Sequence, residues 1–405
     1  MMGASERTTL TDGQRLWSTV MEIAKIGAIA ETGSCRLSLS DEDRDARNRF
    51  ASWCRDAGCT VQIDKFGNMF AVRPGRRSDA PCILVGSHLA GLEIVRSLND
   101  HAIETDGPIV VVNWTNEEGV RFKPGLTGSS GFTGSLDEAG ITGSDGSEFF
   151  RELKRIGYAG TFKPDFAVSA YYELHIEQGP ALETAGVPIG VVSSIQGVRW
   201  YALQLRGRDA HAGTTPAGAR QDSFMAAARI SLALRDEAKS IDPDLRFTIG
   251  RVEVEPNSQN TVPGLTNLFI DLRHADTRVL DRFERSMTKA VEAAAAIEGT
   301  SAKVQRTMSV PPVLFDASLQ SRLVAGARAL GIQPMLLPSG AMHDASSLAS
   351  QFPAAMIFVQ SRDGISHNPD EWSEQGHVAL ACEVLARAII SHGSPDSGVR
   401  AAAHD

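Results

Sequence analysis

The segment VVVNWTNEEGVRF closes an apolar run with two adjacent carboxylates, Glu117 and Glu118. Neighbouring acids at a strand end can point to opposite sides, so that one binds a metal while the other takes a proton from the metal's water. An isolated Glu-Glu pair is more often a solvated loop, but this one follows a buried-strand pattern, where open α/β sheets bind their ligands. Three histidines occupy comparable places: His88 after CILVGS, His175 in YELHIEQGP and His367 in SRDGISHNPDEWS, which follows AAMIFV. Each alone reads as a hydrogen-bonded structural residue. Together with Glu118 they make an imidazole and carboxylate set that zinc, manganese, cobalt or nickel accepts, and the set predicts a metal hydrolase. Gln178 follows His175 just before a Gly-Pro stop. A second polar group comprises His211 in the turn GRDAHAGTTP, Asn260 in PNSQNTVPG and Arg273 in FIDLRHAD. A guanidinium fork suits a carboxylate bidentately, although many such arginines only pair with surface acids.

These residues need elements to hold them. Leu16, Trp17, Val20, Ile23 and Ala24 recur at helical spacing, and a second helix after Ser40 would turn Phe50 and Trp53 inward. TVQID and NMFAVR read as short strands. CILVGS and PIVVVNW read as buried strands flanking a helix over Gly91–Asn99, a strand-helix-strand crossover of the parallel kind. From Ile195 to Ser309 the order changes to strand, helix, strand, strand, helix, strand, the split ferredoxin-like βαββαβ unit. The α/β pattern then resumes, which predicts a catalytic domain over 1–194 and 310–405 and an inserted α+β domain over 195–309.

A chain of 405 residues with 42% hydrophobic and 22% charged residues is that of a soluble globular protein. Its net charge of -9 argues against a nucleic-acid footprint and for a small-molecule partner. No apolar run is long enough for a membrane span and the first residues carry no secretory pattern, so a cytoplasmic address is expected. Five scattered cysteines without a CxxC pair suggest reduced, mostly structural thiols. The Ser/Gly/Ala-rich tail after His392 is expected to fray.

VGSHL, NWTNEEGVRF, ELHIEQGP, DAHAGTTP, NTVPG with DLR, SGAMHDA and GISHNPDEW, in that order, closely resemble the hydantoinase/carbamoylase branch of the aminoacylase-like metallopeptidase superfamily. That branch includes N-carbamoyl-L-amino acid hydrolases, allantoate amidohydrolases and β-ureidopropionases. The resemblance implies a zinc-peptidase-like α/β catalytic domain holding two divalent metals, with a smaller lid that also makes a homodimer. His88 and His175 would serve one metal, Glu118 and His367 the other, and Glu117 would be the general base. Gln178 and His343 would lie at the substrate, Asn260 and Arg273 would hold its carboxylate, and His211 would reach across the dimer to the scissile carbonyl. The implied reaction cleaves the ureido C–N bond of an N-carbamoyl-L-amino acid or related ureido acid, releasing amino acid, ammonia and carbon dioxide. Allantoate is the alternative substrate.

The pattern breaks after Leu89. In the family an Asp, a glycine-rich turn and an Asp-Gly whose carboxylate bridges both metals follow; here AGLEIVRSLN comes at once, and roughly sixteen residues are absent. Glu93, one turn into the helix, reads as part of an exposed face. A true deletion would leave a non-catalytic ureido-acid binding protein; deliberate shortening and a loop omitted from the written sequence are the other readings. The intactness of the other motifs favours an omitted loop.

Overall fold

The computed structural model describes residues 9–29, 32–165 and 167–393. The tail expected to fray beyond residue 393 lies outside them. Two compact units divide the chain, Met1–Ser193 with Leu314–Asp405, and Ser194–Val313.

In the first unit the helices α1 (Gly13–Ile23) and α2 (Asp41–Asp56) come first. Asp12 and Ser40 cap them by accepting backbone N–H groups, and three acids in the first turn of α2 suit its positive end. The strands β1 (Thr60–Ile63), β2 (Met69–Arg73) and β3 (Cys82–Val85) follow, then α3 (His88–Asp100) and β4 (Ile109–Asn113). After β5 (Val168–Ile176) and β6 (Ile189–Ile195) the chain builds the second unit with β7 (Gly197–Arg206), α4 (Ser223–Ile241), β8 (Arg246–Glu255), β9 (Leu265–His274), α5 (Thr277–Ile297) and β10 (Ser301–Val310). It then supplies β11 (Val313–Leu314), α6 (Ala317–Ala329), β12 (Met335–Ser339), α7 (Asp344–Leu348), β13 (Ala354–Val359) and α8 (Gln375–Gly393).

The larger sheet has the order β1-β2-β4-β3-β5-β13-β6-β11, with β12 paired to β6. Its centre is parallel, β4 beside β3, β3 beside β5, and β5 beside β13, whereas β2 runs antiparallel to β4 and β6 antiparallel to β13. Strands covered on both faces read as continuous apolar runs, and every residue of CILV and AAMIFV is indeed buried. The core runs from Leu16, Phe50 and Trp53 through α3 to Leu385 and Ile389 of α8.

Two expectations fail between β3 and β4. The backbone passes from Val85 through Gly86 and Ser87 directly into α3. The helix starts at His88 rather than Gly91. Glu93 is not exposed: 1% of it reaches solvent, Arg15 grips both its oxygens at 2.8 Å, and Asp12 N and Ser97 Oγ donate to it. A buried carboxylate is tolerated there because a guanidinium and two further donors satisfy it.

In the second unit four antiparallel strands lie in the order β8-β9-β7-β10, and the chain order is βαββαβ. Alternate residues of β9 are buried, the mark of a sheet covered on one face. Leu268, Ile270 and Leu272 meet Ile230 and Leu234 of α4 and Phe283, Met287 and Val291 of α5 in a core of their own. The first of these helices begins at Ser223 because Asp222 caps it, accepting from Phe224 N and Met225 N.

Candidate functional site

Carboxyl ends of β4 and β5, with the turn after β13 and the start of α7, gather the polar residues of the first unit. Past β4, Asn116 takes a left-handed backbone, φ 55°, and its amide donates to Phe122 O, Pro124 O and Thr127 Oγ1. This fixes the loop that carries Glu117 and Glu118. Glu118 Oε2 lies 3.2 Å from His367 Nε2, and both side chains are exposed. Glu117 is different: burial first, then the charges of Glu118 and Glu173, push its carboxyl up to about 8.

The alternation of β5 puts Tyr171, Glu173 and His175 on one face. Tyr171 Oη accepts from Trp114 Nε1 at 3.1 Å and donates to Glu173 Oε2 at 2.7 Å; Ala345 N donates to the same oxygen at 2.9 Å. Burial raises the Glu173 carboxyl despite these donors and His175, and it raises Asp344 as well, with Glu173 and Glu117 adding to the effect. The rings of His175 and His343 meet edge-on at 4.4 Å, and both lie against Phe358 of β13. His343 is buried, bonded through Nε2 to Ser339 Oγ at 2.9 Å, with its Nδ1 unpartnered; burial, then His175, hold it well below the usual imidazole range. Gln178, at φ 59°, donates from Nε2 to Ser366 Oγ at 3.1 Å, and His367 stands at φ 54°. Non-glycine residues in the left-handed region concentrate at functional sites, and three of those in this chain fall within this one.

The structure thus brings together Glu117, Glu118, His175, Gln178, His343 and His367, and it adds Glu173, Asp344 and Tyr171, which the sequence reading missed. A signal existed: Glu173 is two residues before His175, hence on its face, and Asp344 is next to His343.

His88 stands apart. As the first residue of α3 it packs edge-on against Phe50 of α2, ring centroids 5.3 Å apart. Burial and then the nearby cations Arg36 and Arg47 push its pKa down to about 4, with only Asp43 opposing. The three-histidine cluster expected from the sequence is therefore not formed, because the junction that should carry His88 outward has become the start of a helix. Among the described residues no three His, Cys, Asp or Glu side chains converge as metal ligands do. The side chains present do not fit the implied pair of divalent metals.

In the second unit His211 and Asn260 are neighbours. A two-residue ladder pairs His211 with Thr261, Ala212 N donates to Asn260 O at 2.9 Å, and His211 Nδ1 accepts from Gly213 N and Thr214 N. Asn260 Oδ1 accepts from Ser258 Oγ at 2.8 Å. Arg273 offers its fork to Asp271 on the same strand, Nε to Oδ1 at 2.9 Å and Nη2 to Oδ2 at 3.0 Å. All five cysteines are free thiols, and no helix among the described residues is long and apolar enough to cross a membrane.

Comparison with known proteins places this arrangement. The model of peptidase family M20/M25/M40 matches residues 75–391. The N-carbamoyl-L-amino-acid amidohydrolase of Rhizobium meliloti is 37% identical, over 96% of this chain and 98% of its own length. Its alignment runs over 413 positions against a chain of 405, so it carries residues with no counterpart here. The allantoate amidohydrolase of Escherichia coli is 31% identical over 92% of this chain and 96% of its own. A crystal structure of a hydantoinase/carbamoylase family amidase from Burkholderia multivorans superposes with a TM-score of 0.89 at 39% identity, covering 95% of this chain and 98% of that one. Matched along nearly its whole length in both sequence and fold, the chain belongs to peptidase family M20/M25/M40, in its hydantoinase/carbamoylase branch.

Proposed function

We propose that the pocket at the carboxyl ends of β4 and β5 takes a ureido acid and is of the amidohydrolase type, acting on the ureido C–N bond to give an amino acid, ammonia and carbon dioxide. The observation that carries this is Glu117, a half-buried carboxyl with a pKa near 8 past the end of β4, beside the pair Glu118 and His367. Such a group holds a proton at neutral pH for the departing ureido nitrogen and, once ionised, draws one from water. Gln178, held by Ser366, would position the substrate, and His343 would line the same pocket.

N-carbamoyl-L-amino acids are the preferred class, because the relative bearing that name is the more similar, 37% against 31% for the allantoate enzyme. The homodimer, the cytoplasmic address suggested by five free thiols, and the substrate-holding roles of Asn260, Arg273 and His211 belong to the same reading. The carboxylate of the substrate would share Arg273 with Asp271. Arg273→Ala is then expected to weaken binding of carboxylated ureides by about 1.5–3 kcal/mol, the worth of a charged hydrogen bond; unchanged affinity by calorimetry removes Arg273 from the site.

Ammonia release and ligand-induced thermal shifts with N-carbamoyl-L-amino acids, β-ureidopropionate and allantoate test the substrate class. A response to allantoate alone reverses the ranking. Binding without turnover is the second reading, favoured by the position of His88 away from the other ligands.

A further inference from the structure

The β3–α3 junction is where the family resemblance implies a further ligand beside Glu118, His175 and His367, and it is closed. Only Gly86 and Ser87 separate the strand from the helix. A Cβ at Gly86 would lie 1.8 Å from Tyr171 Oη, so this residue is wedged beneath the phenol that serves Glu173. The Ser87 hydroxyl bonds both the carbonyl and the N–H of Leu174, tying the junction to β5. Beyond it, Ala90, Leu92, Ile94, Val95 and Leu98 are buried and hold α3 in register.

Electrostatics oppose a metal at His88 as well. Arg36 and Arg47 stand beside its ring, and Arg47 is itself buried, bonded to Asp43, Gly67 O and Thr115 Oγ1, so it cannot swing away. A divalent cation there would face two guanidinium groups across a half-buried gap. The remaining imidazoles stand in separate settings: His367 beside Glu118, and His175 against the His343 ring and Ile176 O at 2.8 Å.

We infer that this chain does not assemble a two-metal centre, because the Gly86–Leu89 junction that would have to present ligands is fixed as a helix start and His88 has become a packing residue. The inference goes beyond the proposed substrate and does not depend on it.

Metal content of the full-length, untagged chain decides. The protein is loaded with excess manganese or zinc, desalted, and measured by inductively coupled plasma mass spectrometry. One ion or fewer per chain agrees with the inference, and two ions per chain overturn it. A second protein carries, between Leu89 and Ala90, an Asp, a glycine-rich turn and an Asp-Gly, the segment that the family resemblance implies at this junction. It is expected to rise to two ions per chain; a folded graft that stays at one or fewer overturns the assignment of the deficit to this junction. Should the graft not fold, the stoichiometry of the native chain decides alone. A graft that holds two ions and hydrolyses no ureido acid counts against the proposed function and leaves this inference standing.

Discussion

Glu93 and His88 sit five residues apart on α3, and each reverses what its residue type suggests. Glu93 is buried against Arg15, whose fork holds it from α1, so removing the carboxylate takes two bonds from a partly buried guanidinium, which keeps only Asp100, and one from the Asp12 N–H. Glu93→Ala is expected to cost about 3 kcal/mol, measured by urea denaturation, with Arg15→Ala comparable because each breaks the two-bond fork between them. A loss under 1 kcal/mol for both would show the pair to be idle. His88 makes stability depend on pH. Its folded pKa of about 4 lies below the ordinary 6.5, so the unfolded chain takes the proton first as pH falls. The contribution is complete above about 6.5 and drains away toward 4, by at most about 3 kcal/mol, less whatever its partial exposure screens. His88→Phe, which keeps the ring contact with Phe50, is expected to flatten this pH slope; an unaltered slope means His88 does not titrate in that window.

At the scale of elements, what was legible in the sequence was what has a period. The buried parallel strands, the one-face alternation of β9 and the long helices of the second unit all announce themselves through apolar spacing. The start of α3 does not. Ser87 stands at its N-cap without a side-chain cap bond, and His88 adds nothing to an apolar stripe, so only the stretch from Gly91 looked helical. Glu93 was misread for a related reason: its partner lies 78 residues away, beyond any local pattern. In the site, Glu117 and Glu118 could be read from their place after a strand, but the membership of Glu173 and Asp344 depends on three chain segments meeting. The junction also makes a sharp prediction. Gly86→Ala must displace the Tyr171 phenol from Trp114 and Glu173, and overpacking of this kind costs about 1–3 kcal/mol. An unchanged urea midpoint would mean that β5 yields without cost.

Over the whole molecule, the two units have separate cores, and the second is continuous in sequence while the first is made of two stretches. Residues 194–313 expressed alone are therefore expected to melt cooperatively with native-like circular dichroism; a chain that stays unfolded would show that its core depends on the rest. The first unit has no such independence. Its strand β13 lies between β5 and β6 in the sheet, yet follows β5 by roughly 180 residues in the chain. At ribosomal rates of about 5–20 residues per second, β5 waits roughly ten to forty seconds after emerging before its neighbour is even made. During translation one edge of β5 and both edges of β6 stand open while the inserted unit can already fold. The nascent chain must be shielded over that interval, and the last quarter of the message closes the sheet begun in the first half.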